Sequence, residues 1–149
     1  MKLILLATMA VSPIIADEPA IPASRFSAKG HTTDSLKDVR KRVTGKKAIL
    51  LDVREKNEWD AGHLKHAKLV PLSVVKTGKF TAKQKKHLPK DKPIYVHCRS
   101  GGRVLIVSEL LRKQGYDIRP LQNGYADLLK MGFEKAMPRA SDKPPVPVQ

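Results

Sequence analysis

One stretch narrows the possible folds more than any other. Residues 93–114 read PIYVHCRSGGRVLIVSELLRKQ. Pro93–His97 carries β-branched and aromatic side chains in an unbroken run, which suits a buried strand. Cys98-Arg99-Ser100-Gly101-Gly102-Arg103 is a turn, since two adjacent glycines release the backbone from ordinary steric limits. From Val104 to Gln114 the residues Leu105, Val107, Leu110 and Leu111 are apolar, Arg112 and Lys113 suit the last turn of a helix, and Gly115 ends it. A strand that passes through a tight Gly-rich turn into a helix is a βα unit. A chain made of such units builds an α/β fold, with a mostly parallel central sheet flanked by helices on both faces.

The rest of the chain repeats this alternation. Leu36, Val39 and Val43 fall at helical spacing and predict a helix over 32–43, with Thr33 or Asp34 as its cap. Residues 48–53 (AILLDV) suit a buried strand. Residues 55–61 predict a short polar helix closed by Gly62. Residues 69–72 predict a second strand, and 80–88 a helix that starts near Thr81 and stops at Pro89. Asp117–Leu121 reads as a further strand and Tyr125–Met131 as a last helix. No internal repeat is present.

The two ends read differently. Residues 1–16 (MKLILLATMAVSPIIA) hold one charge, Lys2, before an apolar run from Leu3 to Val11, with Ala16 ahead of the acidic pair Asp17–Glu18. That pattern predicts a secretory signal peptide, and the run is shorter than the roughly 20 apolar residues that span a bilayer. A buried first strand or helix is the alternative. Residues 17–31 hold two prolines and no periodicity and predict a linker. Residues 137–149 (MPRASDKPPVPVQ) predict a disordered Pro-rich tail. One domain is therefore expected over 32–136, and the full length of 149 residues agrees with one. The signal places the mature chain in the periplasm or outside the cell.

Composition removes several classes of function. One cysteine in the whole chain excludes an internal disulfide framework and a Cys-rich zinc module. In an oxidising compartment a lone cysteine is either buried and inert or a reactive free thiol. A net charge of +15 favours an anionic partner without naming it. Residues 76–92 hold seven lysines against one acid, Asp91. They lack the interleaved aromatics of a nucleic-acid surface, so a solvated face is expected and no nucleic-acid partner. His63 and His66 form H-x2-H, but a third ligand is not evident, so no metal and no cofactor is expected. Trp59 reads as a packing residue.

Cys98 is where the chemistry is expected. In open α/β sheets, sites form beyond the carboxyl ends of the strands. Cys98 follows such an end, and the helix behind its loop brings partial positive charge at its N-terminus. Arg99 and Arg103 add full charges. Surroundings of this kind stabilise a thiolate, a persulfide or an oxyanion.

Two motifs carry a family resemblance. The front one, LDVREKNEWDAGHLKHAKLVPL over 51–72, and the back one, PIYVHCRSGGR over 93–103 followed by GYDIRPLQNGYADLL over 115–129, together resemble the rhodanese (sulfurtransferase) domain. The resemblance runs from Leu50 to Phe133. It implies that Cys98 is a nucleophile that takes a sulfane sulfur from a small anionic donor such as thiosulfate. The Cys98 persulfide then passes it to cyanide or a thiol. It further implies a substrate loop of Arg99, Ser100, Gly101, Gly102 and Arg103, with the two arginines holding the oxyanion end of the donor. Asp52 and Arg54 either brace that loop or form an ordinary surface ion pair. The chain departs from the family pattern at Val104, Asn123 and Leu128, where substrate preference is affected more than fold. A non-enzymatic sulfur carrier that uses Cys98 as its handle is the first alternative. A cysteine phosphatase or arsenate reductase on the same scaffold is the second. That second class has HC-x5-R, whereas here Arg103 follows Cys98 after four residues and Val104 stands at the expected arginine.

Overall fold

The computed structural model describes residues 22–137. The predicted signal peptide, the first part of the predicted linker and nearly all of the predicted tail lie outside the described residues.

The elements follow in the order α1 (Leu36–Thr44), β1 (Ile49–Asp52), α2 (Lys56–Asp60), β2 (Ala67–Leu69), α3 (Leu72–Thr77), α4 (Ala82–Lys85), β3 (Ile94–His97), α5 (Arg103–Arg112), β4 (Ile118–Pro120) and α6 (Tyr125–Lys130). The four strands form one sheet in the order β2-β1-β3-β4, and every pairing is parallel. The first crossover steps from β1 to β2 on one side, and the next returns to β3 on the other. The chain therefore reverses direction between β1 and β3, and a crevice opens at their carboxyl ends.

Both faces of the sheet are covered. Alternation along the strands divides the apolar residues between two cores. On one face Leu51, Ile94, Val96 and Ile118 pack under Leu72 and Val75 of α3, Leu88 beyond α4, and Val104, Val107 and Leu111 of α5. On the other face Leu50 and Tyr95 pack under Val39 and Val43 of α1 and Leu128 of α6. Each fully buried aliphatic side chain contributes about 1.5–3 kcal/mol, so the sheet cannot slip register without exposing one face of each strand.

Three local expectations change. Helix α1 is capped by Ser35, whose hydroxyl accepts from the Asp38 N–H at 3.2 Å, and not by Thr33 or Asp34. Asp34 instead accepts from the buried Tyr95 hydroxyl at 2.6 Å and from Arg119 at 2.9 Å. The second strand ends at Leu69, and residues 72–77 form α3, a helix that the run of β-branched residues conceals. It forms because Leu72 and Val75, three apart, both reach the core, while Pro71 needs no donor at a helix start. The Ser73 hydroxyl also donates to Glu55 at 2.8 Å, which ties α3 to the start of α2. Finally, residues 22–31 are not an unstructured linker. They hold a 3-10 turn at Ala23–Arg25, and Phe26 pairs antiparallel with Thr32. The segment folds back on the body of the domain through the Thr32 N–H, which donates to the Pro120 carbonyl at 2.7 Å.

Candidate active site

Strand β3 lies inside the sheet between β1 and β4, and His97 at its end is in register with Asp52 at the end of β1. Cys98 therefore emerges at the reversal point of the sheet. It is the single cysteine of the chain and is 1% exposed. The loop behind it reaches α5 within five residues, and the Cys98 side chain is buried with the apolar core on that face of the sheet.

The loop's carbonyls are fastened outward. The Cys98 carbonyl accepts from the Tyr125 N–H at 2.9 Å, and the Gly101 carbonyl accepts from His31 Nε2 at 2.9 Å. The Arg99 carbonyl abuts Gly124 so closely that a Cβ there would collide with it. A peptide's C=O and the N–H of the next residue point in opposite directions. The N–H groups of Arg99, Ser100 and Gly102 are consequently turned away from these three outer contacts. No backbone N–H from Arg99 to Val104 donates to an acceptor among the described residues. A run of free amides at the start of a ten-residue helix is an anion-binding arrangement.

Two glycines make this turn possible. Gly101 has φ +83°, and a Cβ on it would strike the Gln122 carbonyl. Gly124 has ordinary dihedrals and is needed for room beside Arg99. Asn123 does not adopt a left-handed backbone, so its place in the motif rests on other grounds.

The two loop arginines have different surroundings. Arg99 is exposed and makes no ion pair among the described residues. Arg103 is the first residue of α5, and its guanidinium binds the Glu58 carboxylate through two hydrogen bonds, 2.6 and 2.8 Å long. Glu58 in turn accepts the Glu55 N–H at 3.1 Å at the start of α2. The hydrogen bond from Arg103 holds the Glu58 carboxyl down to about 2 against the opposing effect of burial. Arg103 is thus paired with a carboxylate of the protein, whereas among the described residues Arg99 has no such partner.

Asp52 and Arg54 form a buried pair, not a surface one. The Arg54 guanidinium donates to Asp52 at 3.0 and 2.7 Å, and the Arg54 N–H donates to Asp52 Oδ1 at 3.0 Å. The same guanidinium donates to the Gly62 carbonyl at 2.9 Å and lies 4.1 Å over the Tyr125 ring. Because Tyr125 holds the Cys98 carbonyl, the pair connects the end of β1 to the loop through one intermediate residue. His97 is fully buried beside it, with Nε2 3.7 Å from Asp52 Oδ2. Burial lowers its pKa to about 4, against the pull of the Asp52 charge.

His63 donates from Nδ1 to the Trp59 carbonyl at 3.1 Å, and its ring stacks on Trp59 at 3.7 Å. This accounts for both residues by local packing. Among the described residues no group of three His, Cys, Asp or Glu side chains is placed to hold a metal ion. Sequence reasoning missed Glu58, His31 and Tyr125 as neighbours of the loop. The E-x-x-E spacing of Glu55 and Glu58 signals a helix start, but nothing local signals its partner on α5.

Comparison with known proteins agrees with this fold. A model of the rhodanese-like domain matches residues 35–131. The uncharacterized protein YqhL of Bacillus subtilis is 36% identical over 85 residues, which cover 56% of this chain and 63% of that one. A probable adenylyltransferase/sulfurtransferase, MoeZ, of Mycobacterium tuberculosis is 33% identical over 113 residues, 74% of this chain and 26% of that one. A tRNA uridine(34) hydroxylase of Protochlamydia amoebophila is 33% identical over 93 residues, 60% of this chain and 29% of that one. The chain thus spans less than two thirds of the length of these relatives. Among solved structures, the human single-domain sulfurtransferase TSTD1 superposes with a TM-score of 0.57 at 28% identity, over 66% of this chain and 95% of that one.

Proposed function

The chain belongs to the rhodanese-like domain family, and from that premise we propose that it moves a sulfane sulfur from a small anionic donor such as thiosulfate to cyanide or a thiol. The Cys98 thiolate attacks the outer sulfur of thiosulfate. The S–S bond of the donor breaks, sulfite leaves with the electron pair, and Cys98 becomes a persulfide. Cyanide or a thiolate then attacks the terminal sulfur and carries it away, and the Cys98 thiolate returns. No external oxidant or reductant is consumed, and the two half-reactions give ping-pong kinetics.

The observation that carries this reading is the loop itself. Its carbonyls are held by Tyr125 and His31 or abut Gly124, while its free amides lead from Cys98, at the sheet's reversal point, into the N-terminus of α5. Free amides in such a run suit an anionic ligand. Arg99 is the cation available for the donor's oxyanion end; Arg103 closes the wall with Glu58.

The test is direct. Protein given thiosulfate and cyanide should release thiocyanate, and Cys98→Ser should not. Absence of thiocyanate from the unaltered protein would sink the thiosulfate:cyanide reaction. Thiosulfate alone should add the mass of one sulfur atom to the protein but not to Cys98→Ser. A stable mass gain without turnover would favour a non-enzymatic sulfur carrier. A phosphatase or arsenate reductase fits less well, because the loop's second arginine is one residue too near and already paired with Glu58.

We also propose that the protein is exported, with residues 1–16 removed, to the periplasm or beyond the cell. This rests on the sequence pattern alone, and N-terminal sequencing of exported protein that began at Met1 would refute it. Its partners are then the small donor and acceptor, without nucleic acid and without stable insertion in a membrane. No described helix is long and apolar enough to cross one.

A further inference from the structure

The sulfur-transfer reading takes the loop's orientation as given, and the inference drawn next rests on that reading. We propose that His31 is a positioning residue, whose Nε2–H holds the Gly101 carbonyl outward and so keeps the Gly102 N–H turned toward the anionic sulfur of Cys98.

The Gly101–Gly102 peptide is the part of the loop most able to turn over. Rotation of a peptide plane needs freedom on both sides, and here both sides are glycine. Gly101 is already at φ +83° beside the Gln122 backbone, and Gly102, at φ −80°, is exposed, with nothing within 4 Å of where a Cβ would stand. If this peptide turned, the Gly101 carbonyl oxygen would enter the amide cradle and oppose a thiolate or persulfide. One side-chain hydrogen bond prevents this, from His31 Nε2 to the Gly101 carbonyl at 2.9 Å across 70 residues of sequence. A carbonyl only accepts, so the proton is on Nε2. Nδ1 is buried and has no partner among the described residues.

His31 is itself held in place. It is 7% exposed. Its carbonyl accepts from the Ser27 N–H at 2.7 Å, and the next residue, Thr32, donates to the Pro120 carbonyl at 2.7 Å. Phe26 lies under the Arg112 guanidinium at 4.1 Å, and a Cβ on Gly30 would stand 3.5 Å from the Leu105 side chain. Residues 22–32 therefore form a strap along α5, from Arg112 at its end to Leu105 near its start, with His31 as its contact to the loop. A segment that had only to connect would not need to bury an imidazole beside a loop carbonyl.

The experiment compares His31→Leu and His31→Gln with the unaltered protein by the rate at which iodoacetamide alkylates Cys98 across pH, a readout that needs no sulfur donor. His31→Leu fills the space without a donor. It should slow alkylation near neutral pH about tenfold, the loss produced by one hydrogen bond of ordinary strength, and should shift the pH profile upward. His31→Gln places an amide donor near the same point and should restore most of the rate. Alkylation of His31→Leu at the unaltered rate would overturn the proposal. So would a His31→Gln rate as slow as that of His31→Leu, since packing and not the hydrogen bond would then be responsible. Nitrogen NMR of the unaltered protein gives a test that no folding defect can obscure. The His31 ring should carry its proton on Nε2, and a ring protonated on Nδ1 alone would overturn the proposal. If these results hold while thiocyanate is not formed, the sulfur-transfer reading fails and the positioning of the loop by His31 stands.

Discussion

Arg103 and Glu58 lie 45 residues apart and meet through two hydrogen bonds, 2.6 and 2.8 Å long, that join the first turn of α5 to the short helix α2. The pair is about one quarter exposed, so solvent screens it in part. Glu58 has an ordinary value of 4.5 that the folded protein lowers to about 2. A carboxyl whose pKa falls on folding stabilises the fold at pH values above its unfolded pKa, and this stability is lost as the pH falls through the folded one. Glu58→Gln should therefore cost about 1 kcal/mol at neutral pH. The gap between it and the unaltered protein should close as the pH falls from about 5 toward about 2. Denaturant unfolding at several pH values measures this, and a gap that stays constant would show that the charge pair contributes nothing.

Arg99 and Arg103 should separate in kinetics. Arg99 is exposed and without an ion pair among the described residues, whereas Arg103 is occupied by Glu58. Arg99→Ala should raise KM for thiosulfate about tenfold with a smaller change in kcat, because a charged hydrogen bond to a substrate oxygen contributes on the order of 1.5 kcal/mol or more. The KM of the unaltered protein should also rise with ionic strength. Arg103→Ala should lower stability by about 1 kcal/mol, as Glu58→Gln does. Equal effects of the two substitutions on KM, at equal stability, would contradict this division.

The scaffold was legible in the sequence because its signals are local. Pro93–His97, the glycines of the loop and the apolar spacing of α5 each identify their own element, and their alternation implies the parallel sheet. The DVRE and GGR stretches likewise announce the end of β1 and the start of α5. What stayed hidden depends on contacts distant in sequence. Arg103 looks free beside Cys98 until Glu58 arrives from 45 residues away. His31 lies in a proline-containing, aperiodic stretch that resembles a linker, and only its contact with Gly101 gives it a place. Helix α3 was concealed by β-branched residues whose packing overrides their weak preference for helix.

The two adjacent loop glycines should differ sharply in tolerance. Gly101→Ala needs a side chain at φ +83°, with its Cβ against the Gln122 carbonyl. It should cost at least about 2 kcal/mol and slow alkylation of Cys98. Gly124→Ala should do likewise, since its Cβ would strike the Arg99 carbonyl. Gly102 is different: it is helical, at φ −80° and ψ −50°, and a Cβ there meets nothing. Gly102→Ala should be neutral or stabilising by about 0.4–1 kcal/mol, through reduced freedom of the unfolded chain. Thermal unfolding of the three variants decides this, and equal losses for Gly101→Ala and Gly102→Ala would show that the loop's backbone is not as described.

His97 gives the domain a pH dependence that the carboxylates do not. Burial lowers its pKa from 6.5 to about 4. The unfolded chain therefore takes up a proton on His97 at a pH where the folded protein does not. For a base of lowered pKa, stability is complete above the unfolded value and declines as the pH falls toward the folded one. The decline should run from about pH 6.5 to about pH 4 and amount to on the order of 3 kcal/mol. His87, also lowered by burial, adds to it in the same direction. Glu58 and Asp34, whose pKa values are lowered from 4.5 and 3.8, act at lower pH, so the upper part of the window belongs to the histidines. Denaturant unfolding between about pH 7 and about pH 5 should show the slope in the unaltered protein, and His97→Leu should remove most of it even if that variant is less stable throughout. A slope unchanged in His97→Leu would mean that His97 titrates in the folded protein as it does in the unfolded chain, despite its complete burial beside Asp52.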